Sequence, residues 1–167
     1  MNLLRFLPRK SSFDIIDLGA GDGRMFYELN NIPHQAYVAL DISKAMLLHH
    51  PRGAKHVVAD LEKPLPLGDE SFDLAVCFFT LEHIEHLDTF FSEVYRILRS
   101  EGNLFVGHFF QRRAFEWTAH QKTFKIKQYK RTSAELQNAA QANGFQMEIV
   151  PLYDKTDHTG DVLVGSK

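Results

Sequence analysis

Three carboxylates and three glycines in this chain are spaced to hold a cationic, nucleotide-like ligand. Phe13 to Arg24 reads FDIIDLGAGDGR: an apolar strand over Asp14 to Leu18, a turn containing Gly19, Ala20, Gly21 and Gly23, and a helix start at about Arg24. Backbone without Cβ atoms can lie against a ligand, and a helix start offers unpaired N–H groups. A dinucleotide fingerprint wants a small residue where Arg24 stands. Asp17, two residues before Gly19, also puts a carboxylate where a pyrophosphate would have to lie. Anion against anion is unfavourable in a partly desolvated cleft, whereas a ligand carrying an ammonium and a sulfonium is attracted there. S-adenosylmethionine (SAM) is such a ligand.

Two further acids extend the pattern. Asp41 ends an apolar strand over Ala36 to Leu40, 24 residues after Asp17, where a carboxylate accepts from both hydroxyls of a ribose. The competing role is a cap, with Asp41 or Ser43 starting a helix over Lys44 to His50. Asp60 ends a short strand over His56 to Ala59, placed to accept from an adenine amine while Leu61 covers the ring. Its bland alternative is a turn aspartate before the loop EKPLPLGDES. After the apolar run Phe72 to Phe79 comes Thr80-Leu81-Glu82-His83-Ile84-Glu85-His86, at the carboxyl end of a central strand, where open α/β sheets bind ligands. His83 is the candidate general base, with His108 behind it; the alternative for His83 is a ring bonded to nearby backbone. His83 and His86 lack a carboxylate at suitable spacing, so no metal is expected.

The elements that must position these groups alternate between strand and helix, the signature of a parallel sheet. Asp88 to Arg99 is an amphipathic helix with Phe90, Phe91, Val94, Ile97 and Leu98 on one stripe. Leu104 to Phe110 follows as a fifth strand. Thr132 or Ser133 caps a helix that runs to Gly144, and Gln146 to Leu152 and Asp161 to Val164 read as an edge hairpin with Tyr153 to Gly160 as its loop. At 167 residues, 44% apolar and 24% charged, one domain over 1–167 is expected. The lone Cys77 lies in an apolar run, which excludes an internal disulfide and favours a buried thiol. MNLLRFLPRK, broken by Arg5 and Pro8, suits neither signal peptide nor membrane span, so a cytoplasmic protein is expected.

Residues 111–131 stand apart, with seven Lys or Arg against one Glu in a chain of net charge −2, interleaved with Phe115, Trp117, Phe124 and Tyr129. Nucleic-acid binding, an acidic partner and a solvated connecting flap all fit such a stretch. Without a recognisable nucleic-acid module the flap is preferred.

DLGAGDGR, VALD, VVADLEKPLPLGDESFDLAVCFFTLEHI, EVYRILRSEGNLFV and the closing NGF, in that order, resemble the class I SAM-dependent methyltransferases. The resemblance is to the small-molecule group that includes quinone and malonyl-carrier-protein methyltransferases. It implies an α/β Rossmann-like fold: a seven-stranded, mostly parallel sheet with an antiparallel final strand and helices on both faces. It implies that Asp17, Gly19, Ala20 and Gly21 hold the methionine end of SAM, that Asp41 and Ile42 hold the ribose, that Asp60 and Leu61 contact the adenine, and that Phe78 and Phe79 lie beside the cofactor. It also implies a short hairpin between the fifth strand and the last helix, similar to KTFKIKQYKRTSAEL. Two departures stand out. Residues 1–12 form a minimal lid, so a large or acidic methyl acceptor, a partner subunit or a homodimer is expected to close the site. Ser100-Glu101 replaces the Pro-Gly common before the fifth strand. The implied activity is methyl transfer from SAM to an O, N or C nucleophile. The rival is a non-catalytic SAM-binding subunit acting through a protein partner.

Overall fold

The computed structural model describes residues 3–29, 31–110, 116–119, 122–125 and 127–167. β1 (Phe13–Leu18), β2 (His34–Asp41), β3 (Lys55–Val58), β4 (Phe72–Phe78), β5 (Leu98–Phe109), β8 (Gln146–Asp154) and β9 (Asp157–Ser166) form one sheet in the order β3-β2-β1-β4-β5-β9-β8. β6 (Glu116–Ala119) and β7 (Lys122–Lys125) pair separately as a small antiparallel hairpin. The helices are α1 (Arg24–Leu29), α2 (Lys44–Leu47), α3 (Leu87–Ile97) and α4 (Ser133–Ala142).

β1 lies parallel between β2 and β4, and β5 is parallel to β4. Both faces of these strands are covered, so their residues run apolar without alternation: Ile15, Ile16, Leu18, Leu74, Ala75 and Val76 are all fully buried. One face packs against α3 and α4 through Phe90, Phe91, Val94, Ile97, Leu136 and Ala140. The other packs beneath α1 and α2 through Phe26, Leu29 and Leu47. The chain order reverses on either side of β1 and β4. The crevice at their carboxyl ends is therefore the topological switch point of the sheet.

β9 runs antiparallel to both β5 and β8. The expected hairpin is present, with two differences. Only β8 lies at the edge, because β9 is inserted against β5; this is why Val162 and Leu163 are fully buried. The expected loop over Tyr153 to Gly160 is instead strand up to a tight turn at Lys155, whose φ is +57°. Its polar residues hid the pairing, which is held by a Tyr153–His158 ring stack. β5 likewise starts at Leu98, straight out of α3, where the sequence suggested a turn up to Asn103. Within the basic flap, residues 111–115, with Phe115 among them, and residues 120, 121 and 126 lie outside the described residues. The hairpin implied before the last helix is there as β6 and β7, beginning earlier than KTFK.

Candidate active site

Gly19, Gly21 and Gly23 have φ of +79°, +55° and +92°, conformations that L side chains rarely adopt. At Gly19 the need is also steric: a Cβ there would sit 2.3 Å from Thr80 Oγ1. The turn is thereby pressed down onto the residue that follows β4. Its first two N–H groups are consumed locally, since Gly19 and Ala20 both donate to the Leu40 carbonyl, at 2.8 and 3.0 Å. That ties the turn to the end of β2.

A cleft of about 340 Å³ opens above this turn, lined by Gly19, Asp41, Ile42, Ala59, Asp60, Leu61, Glu62, Phe79, Thr80, His83 and Ile84. Six of the expected cofactor residues (Gly19, Asp41, Ile42, Asp60, Leu61, Phe79) and the expected base His83 therefore meet in one concavity. Asp41 accepts from Gly21 N–H at 2.9 Å and from Ser43 N–H at 2.7 Å, one bond to each carboxylate oxygen. The remaining lone pairs are left for a ligand, and the carboxylate is held in one orientation. Ser43, not Asp41, is the α2 cap, accepting from Met46 N–H. Asp60 accepts from Glu62 N–H at 3.0 Å and pairs with Lys63 at 3.2 Å, which hold its carboxyl below the usual range. Ile42 is 68% exposed, an apolar side chain standing in the mouth of the cleft.

Four expected residues lie off the wall. Phe78 and Phe79 are neighbours pointing opposite ways. Phe79, at φ +58°, faces the cleft, whereas Phe78 covers Gly107, where a Cβ would sit 2.2 Å from its ring. Ala20 and Gly21 lie in the turn below the lining residues, with Ala20 buried. Asp17 is beneath it, 1% exposed, and its Oδ2 accepts from Tyr37 Oη at 2.9 Å. Burial pushes its carboxyl up to about 7, against the Tyr37 hydrogen bond, and the nearby Asp41 adds to the rise. A cation placed beside this buried acid would favour its ionised form.

His83 is exposed, and its Nδ1 lies 3.2 Å from the Lys127 carbonyl. The segment Lys127 to Arg131 is laid across the Leu81–Glu85 loop. Tyr129 N–H donates to the Glu82 carbonyl at 2.7 Å, Lys127 and the Tyr129 hydroxyl bind Glu85, and Arg131 donates to the carbonyls of Leu81 and Glu85. Two cations of the basic stretch are therefore committed within the molecule. Sequence reasoning missed Thr80, Glu62 and Tyr37. Glu62 Oε1 accepts from Glu85 and His86 N–H and fixes the loop that carries His83. Tyr37 carries a readable signal, a lone hydroxyl in the otherwise apolar run of β2. Among the described residues no group of three or more His, Cys, Asp or Glu could hold a metal ion.

A methyltransferase domain family model matches residues 16–106, from the middle of β1 into β5. The chain belongs to that family. It is a class I SAM-dependent methyltransferase by family, and SAM is the family's cofactor. Malonyl-[acyl-carrier protein] O-methyltransferase of Methylococcus capsulatus is 40% identical over 97 residues, 54% of this chain and 35% of that protein. The ubiquinone/menaquinone biosynthesis C-methyltransferase UbiE of Dinoroseobacter shibae is 25% identical over 118 residues, 65% of this chain and 47% of that one. The chain thus spans less than half the length of these relatives. A SAM-dependent methyltransferase from Mesorhizobium loti shares the fold, with a TM-score of 0.79 at 22% identity over 99% of this chain and 95% of that one. The family match ends inside β5, so α4, β8 and β9 are joined to the methyltransferase fold by the structural likeness. No helix among the described residues is long and apolar enough to cross a membrane.

Proposed function

We propose that this chain transfers the methyl group of SAM to a nucleophilic acceptor, with the cofactor in the cleft between β1, β2 and β4. The observation that carries the reading is Asp41. Its carboxylate is oriented by two backbone N–H groups and faces a cleft of about 340 Å³ with lone pairs to spare, the arrangement a ribose diol requires. Asp60 would accept from the adenine amine in place of Lys63, with Leu61 and Ile42 against the ring and sugar. Asp17 beneath the glycine turn would pair with the ammonium at the methionine end, its ionisation favoured by that cation. Phe79 would cover the sulfonium and exclude water.

SAM supplies the activated methyl group, so the protein's work is alignment. An acceptor bearing a proton at the reacting atom needs a base. His83, on the cleft wall, and His108, at the end of β5, are the two histidines placed to act as one. Asp41→Ala tests the cofactor assignment. Loss of charge-assisted hydrogen bonds to two hydroxyls, worth about 1.5–3 kcal/mol each, should weaken S-adenosylhomocysteine binding by at least about 100-fold in calorimetric titration. Unchanged affinity in a folded Asp41→Ala protein would refute the site.

A further inference from the structure

A second cleft, of about 250 Å³, lies where β4 and β5 end, and Glu82, His108, Phe109, Phe110, Tyr129 and Arg131 are among its walls. It adjoins the cofactor cleft. Phe79 lines the first and Phe109 the second, and their rings stack at 4.2 Å, only 9° from parallel. Glu82 and His83, successive residues of one loop, divide between the two clefts in the same way.

Behind the second cleft is a buried polar chain. Ser133, the first residue of α4, donates its hydroxyl proton to Asp161 Oδ2 on β9. A hydroxyl has one proton, so at His108 Nδ1, 3.0 Å away, Ser133 can only accept. Nδ1 therefore carries a hydrogen, and in the neutral ring Nε2 carries the lone pair. The other Asp161 oxygen is held by His158 Nε2 at 2.8 Å. His108, Ser133 and Asp161 are 7%, 8% and 5% exposed and come from three separate elements. His83, by contrast, is oriented among the described residues by a backbone carbonyl. The cleft wall also contains Glu82, 8% exposed, whose Oε2 has no hydrogen-bond partner among the described residues. A buried carboxylate oxygen without a donor is costly, and a donor on a ligand would satisfy it.

We propose that this cleft takes a flat aromatic acceptor bearing two hydrogen-bond donors, one given to Glu82 and the other, the group that is methylated, to His108 Nε2 as general base. The proposal rests on the SAM site above. The aromatic walls Phe109, Phe110 and Tyr129 suit a planar ring. In the reaction the acceptor's O or N lone pair forms a bond to the methyl carbon. The carbon–sulfur bond breaks, and its electron pair stays on sulfur as neutral S-adenosylhomocysteine. The acceptor's proton passes to His108 Nε2, and the imidazolium is steadied through Ser133 by the Asp161 carboxylate before the proton leaves to water. His108 is the catalytic residue; Ser133 and Asp161 are positioning residues.

The test supplies SAM with catechol, tyramine or histamine, each a two-donor aromatic, and with phenol as the single-donor control. Wild type, His108→Gln, Ser133→Ala and Glu82→Gln are compared, and folding and S-adenosylhomocysteine affinity are measured for each. Expected are methyl transfer to at least one two-donor compound in preference to phenol, and a fall in kcat of about 100-fold or more in His108→Gln. Glu82→Gln should raise KM. Histidine-ring nitrogen NMR should show His108 as the Nδ1–H tautomer in wild type and a mixture in Ser133→Ala, a change that loss of packing alone would not produce. Transfer to none of the three compounds, equal transfer to phenol, retained kcat in His108→Gln, or an Nε2–H ring in wild type would each overturn the proposal. Absence of S-adenosylhomocysteine binding by wild type would instead refute the cofactor reading, and the ring tautomer would then still decide the relay.

Discussion

Asp17 is buried with one hydrogen bond, from Tyr37, and no cation to pair with among the described residues. Its folded pKa of about 7 lies above the ordinary 3.8, so between those values the folded protein holds a proton that the unfolded chain has lost. Its contribution to stability is fully present below about pH 4 and is lost as pH rises through about 7, a fall on the order of a few kcal/mol. Asp17→Asn should flatten that part of the stability curve, measured by denaturant unfolding across pH, and should raise stability above neutrality. Cofactor affinity should move the other way, strengthening through about pH 7 as the carboxylate ionises, and Asp17→Asn should abolish that rise. The sequence showed Asp17, Asp41 and Asp60 because each lies at or just beside the carboxyl end of a strand, and strand ends converge in this architecture. It could not separate Phe78 from Phe79, whose difference is one step of side-chain alternation and a positive φ. Nor could it show His108, Ser133 and Asp161 as one group, since residues 25 and 28 apart meet only through tertiary packing.

At the scale of elements, local chemistry was legible where it is self-contained. The α4 start is a full capping box, with Thr132 accepting from Glu135 N–H and the Glu135 carboxylate accepting from Thr132 N–H. Thr132→Ala should cost about 1 kcal/mol in thermal or denaturant unfolding. It should also loosen Ser133, the next residue, and so disturb the His108 ring NMR signal. The irregular first stretch of β5, where its register with β4 shifts, is the reverse case. Glu101 sits at φ +66°, where the methyltransferases it resembles commonly have glycine. A non-glycine residue there carries a left-handed penalty of about 1–2 kcal/mol. Glu101→Gly recovers part of it, offset by the greater entropy of unfolded glycine, so stability should rise by about 0.5–1 kcal/mol. A loss of stability in that variant would mean that the Glu101 side chain makes up the difference through contacts of its own. α2 departs further, spanning only Lys44–Leu47 where a helix to His50 was expected, because the following turn holds His50 against the Gly23 backbone.

At the scale of the whole molecule, β9 is the strand that closes the sheet. β9 reaches the interior of the sheet between β5 and β8, pairing with β5 from Asn103 to Phe109 and with β8 from Gln146 to Asp154. It brings Val162, Leu163 and Val164 into the cores on both faces and Asp161 to the buried polar chain behind the second cleft. Fully burying three such side chains contributes about 1.5–3 kcal/mol each, most of the net stability of a domain of this size. In the edge hairpin that the sequence suggested, the same residues would have been less deeply buried. Deleting Asp157–Lys167 should therefore abolish cooperative thermal unfolding and expose the β5 edge to aggregation, which light scattering would register. A shortened chain that still melted cooperatively would place the folding core in β1 to β5 alone. The cofactor cleft, built from β1, β2 and β4, would then survive while the His108 relay was lost. Titrating that shortened chain with S-adenosylhomocysteine would separate a cofactor site that stands by itself from an acceptor site that exists only once the sheet is closed.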